Sequence, residues 1–397
     1  MTASDPSGSE ARAIAPGSWP AGILPLGLLC LFIAVLVGAD PLAALRQGAP
    51  PVEELTVERV GLTETPLGMT VTVVNGGREP VTISQVLVDG AYWVFSMDPP
   101  GTLEPLSSVI LTLAYPWVEG EALEIVLLTS TGATFGHRID VTTGTPQFDS
   151  AVLAALGLIG LYVGVIPIAI GLLWYPFVRR LRPGGIAALL AFTAGILAFL
   201  AVDASGEALE LARSVPRAFN GLGIFAVTIT SAAATLVAVR AWAHGRRGSG
   251  SALSLATLIA IGVGLHNFGE GLAIAAAYSV GATALSSRLV IGFALHNSTE
   301  GLAIVAPLGD VRPGVGRLAA LGVIAGAPAI LGSWVGGLAY SPALAVMFLG
   351  VGVGAMAQVV WEVLALLRRR YGLDRPSIPI GLGAGAMVMY LSGLIIA

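Results

Sequence analysis

Long apolar runs alternate with short polar segments along most of this chain, and three regions differ in how the two are arranged. Residues 1–20 are polar and contain Gly, Pro and Ser, so we expect a disordered leader there. The following apolar run, Ala21–Gly38, matches the roughly 20 residues that a helix needs to cross a bilayer. We interpret residues 21–49 as a transmembrane anchor and linker, with a cleaved signal segment as the alternative.

Residues 50–147 have a different pattern, in which apolar and polar residues alternate over short stretches such as Met69–Val74 and Val109–Leu113. Turn signals separate these stretches, among them Asn75-Gly76-Gly77 and Asp89-Gly90. Alternation with a period of two and a turn every eight to twelve residues or so is typical of antiparallel sandwiches. The pattern therefore predicts an immunoglobulin-like β-sandwich of about seven strands.

Residues 148–397 are almost continuously apolar and predict a bundle of eight transmembrane helices. The predicted spans lie at 151–177, 185–208, 217–242, 253–279, 283–307, 316–337, 342–367 and 377–396. The expected fold class is therefore mainly α: a polytopic eight-helix bundle preceded by an anchor helix and a β-sandwich domain.

Arginines collect in every second loop of this bundle, namely those after predicted spans 1, 3, 5 and 7. Positively charged residues stay on the cytoplasmic side of a membrane, so these four loops should face the cytoplasm. The β-domain and the C-terminus would then be extracytoplasmic. We expect a multi-pass protein of the cell (plasma or inner) membrane.

The composition agrees with burial in lipid. It also argues against nucleic acid binding and against a cysteine-based centre within one chain. The chain is 55% hydrophobic and 11% charged, against about 25% charged residues in soluble domains. Its net charge of -4 argues against a nucleic acid partner. The single cysteine, Cys30, excludes both an intrachain disulfide and a cysteine-based metal centre within one chain.

The most informative feature is an internal repeat inside the membrane region. Residues 265–274 read LHNFGEGLAI and residues 295–304 read LHNSTEGLAI, so eight of ten positions are identical at a spacing of thirty. Thirty residues make one crossing and a turn, which predicts antiparallel copies on neighbouring helices. Each histidine lies about thirteen residues from the outer end of its span, which places both near mid-membrane.

Each copy of the repeat carries a histidine, an asparagine and a glutamate. The histidine and the glutamate are four residues apart and therefore share one helical face. Ionisable groups in a bilayer are costly unless they face one another, and two imidazoles with two carboxylates suit Zn²⁺ and accept Fe²⁺ or Mn²⁺. We predict a metal site, with a purely structural polar network as the alternative. The candidate ligands are His266, Asn267, Glu270, His296, Asn297 and Glu300.

Over residues ~150–397 the chain resembles the ZIP (zinc/iron-regulated transporter-like protein) family. The resemblance rests on His266-Asn267-Phe268-Gly269-Glu270-Gly271 in span 4 and its copy in span 5, and on Gly354-Ala355-Met356 with Glu362 in span 7. It implies an elevator-type carrier that imports divalent metal, with the histidines and glutamates of both copies as the transport site. The family often has a proline before the span-4 glutamate and a further carboxylate near the Gly-x-Pro point of span 6. Here Gly269 stands in place of the proline, so any kink in span 4 must come from glycine flexibility rather than from a missing N–H. Gly326-Ala327-Pro328 offers no carboxylate, which puts a second adjacent metal position in doubt.

Two further acidic sets lie outside the repeat. Asp203 and Glu207, toward the outer end of span 2, are candidates for a cation entrance or for an ordinary solvated helix end. Gln358 and Glu362, near the inner end of span 7, are candidates for an exit path or for interfacial placement.

These patterns predict a transporter rather than an enzyme. The expected partners are a divalent metal ion as transported substrate and the lipid bilayer, and a homodimer is left open. An intramembrane metalloenzyme is one alternative, although His-x-x-x-Glu differs from the His-Glu-x-x-His of zinc proteases. A non-transporting metal sensor is the other.

Overall fold

The computed structural model describes residues 27–35, 52–139, 141–142, 144–145, 149–247, 252–279, 283–309, 311–338 and 341–396. The predicted leader at residues 1–20 lies outside these ranges. Of the predicted anchor and linker, only residues 27–35 are described, and they form a helix with exposed side chains. Residues 1–51 and 52–397 form two separate units.

Among the described residues, eight helical segments are long and apolar enough to cross a membrane, as the hydropathy pattern predicts. Spans 1 to 8 are Ser150–Val178, Pro183–Leu211, Arg217–Ala238, Ala252–Tyr278, Leu289–Leu308, Val315–Leu338, Pro342–Arg370 and Ser377–Leu394. Their helices are Ser150–Gly160, Ile166–Leu172, Tyr175–Val178, Pro183–Leu211, Gly221–Arg247, Ala252–Ser279, Thr283–Val305, Val315–Gly326, Pro328–Leu338, Pro342–Arg370 and Ser377–Ile396.

The β region forms two antiparallel four-stranded sheets that share one apolar core. The strands are β1 (Leu55–Glu64), β2 (Leu67–Asn75), β3 (Ile83–Val88), β4 (Ala91–Trp93), β5 (Phe95–Asp98), β6 (Ser108–Leu113), β7 (Leu123–Thr129) and β8 (Thr134–Ile139). One sheet has the order β1-β2-β6-β5 and the other β4-β3-β7-β8. Eight strands are described where the alternation predicts about seven. The shortest of them, β4, pairs with β3 across the Asp89-Gly90 turn.

Strand β1 and the residue before it also contact the ends of two membrane spans. The carboxylate of Glu54 accepts a hydrogen bond from the backbone N–H of Arg217, which begins span 3, at 3.0 Å. Glu58 interacts with the hydroxyl of Ser341, which caps the helix of span 7. Burial raises the pKa of Glu58 more than this hydrogen bond lowers it. The β region is therefore held against the loops that precede spans 3 and 7.

The eight spans pack as two groups. In one group, span 2 packs against spans 7 and 8, and span 3 packs against span 7. In the other, span 4 packs against spans 5 and 6, and span 1 packs against spans 5 and 6. Spans 4 and 7 form the main contact between the two groups. Spans 4 and 5, which carry the repeat, therefore lie within one group and have a face turned toward the other.

Spans 1 and 6 are broken helices, and both belong to the group that carries the repeat. In span 1, a single π-helical turn at Leu161–Val165 precedes Pro167. In span 6, the helix Val315–Gly326 stops and a new helix starts at Pro328. Proline has no N–H and leaves the carbonyl one turn earlier without its helical donor. Such irregular backbone is tolerated at membrane depth only where protein or a water-filled cavity covers it.

Candidate metal centre

The structure brings the two copies of the repeat together. Their helices, Ala252–Ser279 and Thr283–Val305, are neighbours in contact, and the imidazole rings of His266 and His296 lie 6.3 Å apart between centroids. The histidine, asparagine and glutamate of both copies are all buried, each at most 8% exposed. The prediction that the two motifs face one another is thus confirmed by the geometry.

Glu270 lies between the two histidines. Its Oε1 is 2.5 Å from Nε2 of His296 and 3.2 Å from Nε2 of His266. Its Oε2 accepts a hydrogen bond from the side-chain amide of Asn297 at 2.9 Å. Of the two imidazoles, that of His296 is hydrogen-bonded to Glu270, whereas Nε2 of His266 is buried without a hydrogen-bond partner among the described residues. Neutral imidazole and carboxylate are both zinc ligands, so a metal cation could be held by these groups.

The second glutamate completes a group of potential ligands. One ligand atom each from His266, His296 and Glu300 lie within 4.8 Å of one another. Both carboxylate oxygens of Glu300 are buried and make no well-formed hydrogen bond within the described part of the protein, and the amide of Asn267 is the neighbouring donor. A buried acid without a full set of donors is costly, and a cation is the partner that would offset this cost.

The two asparagines orient their amides in the same way. Asn267 donates from Nδ2 to the carbonyl of Ala325 at 3.0 Å, and Asn297 donates from Nδ2 to the carbonyl of Val163 at 3.0 Å. The Oδ1 atom of each is buried without a hydrogen-bond donor among the described residues. Each amide therefore keeps one oxygen that is available to a cation.

The surroundings of the two copies follow a common pattern. Gly271 and Gly301 occupy equivalent positions in the repeat, and a Cβ at either would collide with a backbone carbonyl, that of Ala329 or of Ile168 respectively. Each of these carbonyls belongs to the residue directly after a break-forming proline. Span 4 with span 6, and span 5 with span 1, are thus two related pairs, each consisting of a motif helix and a broken helix.

A cavity of about 30 Å³ reaches the site from the group of spans 2, 3, 7 and 8. This volume holds one or two water molecules or a small ion. Asp203 and Glu207 of span 2 line the cavity together with His266, Glu270 and His296. The two acids predicted as an entrance therefore lie directly beside the predicted ligands, and the entrance role itself stays a prediction.

The predicted exit pair lies elsewhere. Gln358 donates from Nε2 to Oε1 of Glu362 at 3.1 Å, and Glu362 is only 6% exposed. Neither residue lines the cavity at the site. The structure places Glu362 in the protein interior rather than on an open interfacial surface, and a role in exit stays a prediction.

Sequence reasoning missed the broken helices of spans 1 and 6. The sequence left room for a glycine kink in span 4 at Gly269, and the helix Ala252–Ser279 is continuous through it. Gly269 instead lines the cavity, where a side chain would fill space. The available signal was proline within apolar spans, Pro167 and Pro328, because proline interrupts a helix wherever it falls in the interior.

No family model matches the chain, and no curated protein matches it either.

Proposed function

We propose that this protein is a carrier for a divalent transition metal, with Zn²⁺ favoured over Fe²⁺ and Mn²⁺, and that it resembles the ZIP family in its eight-span region. The observation that carries the proposal is the buried group of His266, His296 and Glu300 between spans 4 and 5, with the carboxylate of Glu270 against both imidazoles. Buried ionisable groups within a membrane bundle mark substrate and ion pathways.

The helix architecture supports a carrier over a static site. In many secondary transporters the substrate site lies near mid-membrane, where discontinuous helices of two related halves meet. Here the motif helices of spans 4 and 5 each pack against a broken helix, and the cavity at the site lies toward the second group of spans. A change in the contact between the two groups of spans would alter the side of the membrane from which the cavity is accessible.

The arginine distribution and the acids beside the site support import as the direction of transport. With the arginine-rich loops in the cytoplasm, Asp203 and Glu207 lie toward the outer surface. Acidic walls raise the local concentration of cations and would favour metal entry from outside. We therefore propose import across the cell membrane, with an extracytoplasmic β-domain of immunoglobulin-like type.

The test is uptake of radioactive zinc by purified full-length protein in sealed vesicles. A carrier gives zinc accumulation that saturates with concentration and exceeds that of protein-free vesicles. An intramembrane metalloenzyme or a metal sensor binds zinc without accumulation in the vesicle lumen. Binding without uptake would therefore overturn the proposal and favour those alternatives.

A further inference from the structure

The amide of Asn297 connects three helices at the site. Its Nδ2 atom donates to the carbonyl of Val163 in span 1 and to the carboxylate of Glu270 in span 4, while the residue itself belongs to span 5. Both partners are hydrogen-bond acceptors only, so the atom that faces them must be nitrogen and not oxygen. The two N–H bonds of one NH₂ group are thereby both used.

The carbonyl of Val163 needs this donor because of its position in the break of span 1. In an uninterrupted helix it would accept from the N–H of residue 167, but that residue is proline. The carbonyl of Leu161, two residues earlier, is reached instead by the N–H of Ile166 across the π-helical turn. Val163 is also fully buried, so water is no alternative partner.

The other copy of the repeat makes a related contact, shifted by one residue relative to the proline. Asn267 donates to the carbonyl of Ala325 at the break of span 6. Ala325 lies three residues before Pro328, whereas Val163 lies four residues before Pro167, so Asn297 and not Asn267 reaches the carbonyl that a proline deprives of its donor. Glycines allow the backbones to approach closely at both places, since a Cβ at Gly301 or at Gly264 would collide with a carbonyl of the broken helix. Each asparagine therefore lies where a motif helix meets the carbonyls of a broken one.

We propose that Asn297 is a positioning residue, whose amide nitrogen fixes the broken turn of span 1 and the carboxylate of Glu270 in one arrangement. The inference rests on the proposed function in that Glu270 is taken as a metal ligand. It assigns the essential contribution of Asn297 to its N–H donors rather than to its oxygen. Because the broken turn and Glu270 share the NH₂ group of Asn297, a movement of the turn would displace the carboxylate of Glu270, and the reverse.

The decisive variant is Asn297→Asp, which keeps a side-chain oxygen but loses both N–H donors. If Asn297 served only as an oxygen ligand, a carboxylate in its place would bind a dication at least as well. We expect the opposite, because the substituted carboxylate has no N–H for the carbonyl of Val163 and sets a second charge beside Glu270. Loss of a partner that orients a metal ligand typically lowers metal affinity about 10–100-fold.

The measurements are cobalt titration of the purified full chain, followed through the visible absorption bands of Co²⁺, and thermal unfolding without metal. For Asn297→Asp we expect weaker binding, shifted Co²⁺ bands and a lower metal-free unfolding temperature. Ser298→Ala is the matched control, since its hydroxyl donates to the carbonyl of Ala294 within its own helix. Wild-type affinity with unchanged bands in Asn297→Asp would overturn the inference.

A second pair of variants separates positioning from a merely structural role. Asn297→Ala should lower both the unfolding temperature and the Co²⁺ affinity. Adding Pro167→Ala restores an N–H for the Val163 carbonyl, so the double variant should regain unfolding temperature but not the wild-type Co²⁺ spectrum. Recovery of neither property, or of both, would contradict the shared-donor account. Failure of the wild-type protein to bind Co²⁺ would instead overturn the proposed function, and the unfolding temperatures would still test the contact with span 1.

Discussion

Glu270→Gln is the substitution that most sharply probes the site. It keeps the shape of the side chain and removes one of two carboxylates available to a dication. Glu270 also accepts from His296 and Asn297, and the amide of glutamine would direct an N–H toward one of these donors. The variant therefore loses both a charge and a hydrogen bond at the same place.

The size of the effect follows from the burial of these groups. Removing one partner from a buried, hydrogen-bonded pair of charges costs about 3–5 kcal/mol. Each 1.4 kcal/mol is a factor of about ten, so zinc affinity should fall by roughly 100-fold to several thousand-fold. Isothermal calorimetry on detergent-solubilised protein measures the affinity, and Glu119→Gln, an exposed acid of the β region, is the control. An affinity within threefold or so of the wild type would refute Glu270 as a ligand.

Three further predictions concern pH, stoichiometry and the β region. Imidazole must be deprotonated to bind metal, so zinc affinity should fall between pH 7.5 and pH 5.5, across the ordinary histidine pKa of ~6.5, and a flat profile would contradict histidine ligation. The charge of one dication is balanced by Glu270 and Glu300, whereas a second dication a few ångströms away would be strongly repelled. Metal analysis and anomalous diffraction should therefore give one ion per chain. Two fully occupied adjacent ions would refute this charge balance. Deleting residues 1–147, with a start before Phe148, should leave transport measurable, because the predicted ligands all lie in the spans; loss of transport in a folded, inserted protein would make the β region part of the mechanism.

The spans and the pairing of the repeat were predictable because each depends on local patterns. Apolar length predicts a membrane helix, and thirty residues between copies predict antiparallel neighbours. The shared helical face of histidine and glutamate follows from their four-residue spacing. These three regularities were sufficient to bring His266, Glu270, His296 and Glu300 together, and the structure agrees.

The contacts that depend on distant backbone could not be predicted in this way. That Asn297 would reach the carbonyl of Val163, 134 residues earlier, depends on the packing of span 1 against span 5. Likewise, nothing in the alternating pattern of the β region shows that Glu54 would reach Arg217. The sequence shows which side chains can bind a metal ion, whereas the packing of the helices determines which groups each side chain contacts.

The sequence also left the relation between the entrance acids and the site unresolved. Asp203 and Glu207 lie four residues apart, which fits either a solvated helix end or a wall of a cavity. Their position beside the histidines depends on the contact of span 2 with spans 4 and 5, for which the sequence has no local signal. Their proximity to the site supports a role in attracting cations.

Zinc uptake into sealed vesicles by the wild-type protein and by Glu270→Gln, compared at equal protein content, measures whether metal crosses the membrane through this site. We expect saturable accumulation by the wild type and uptake near the protein-free background for the variant. Glu119→Gln, assayed in parallel, should accumulate zinc as the wild type does. Wild-type vesicles that bind zinc but accumulate none, or a Glu270→Gln protein that transports at the wild-type rate, would contradict the account.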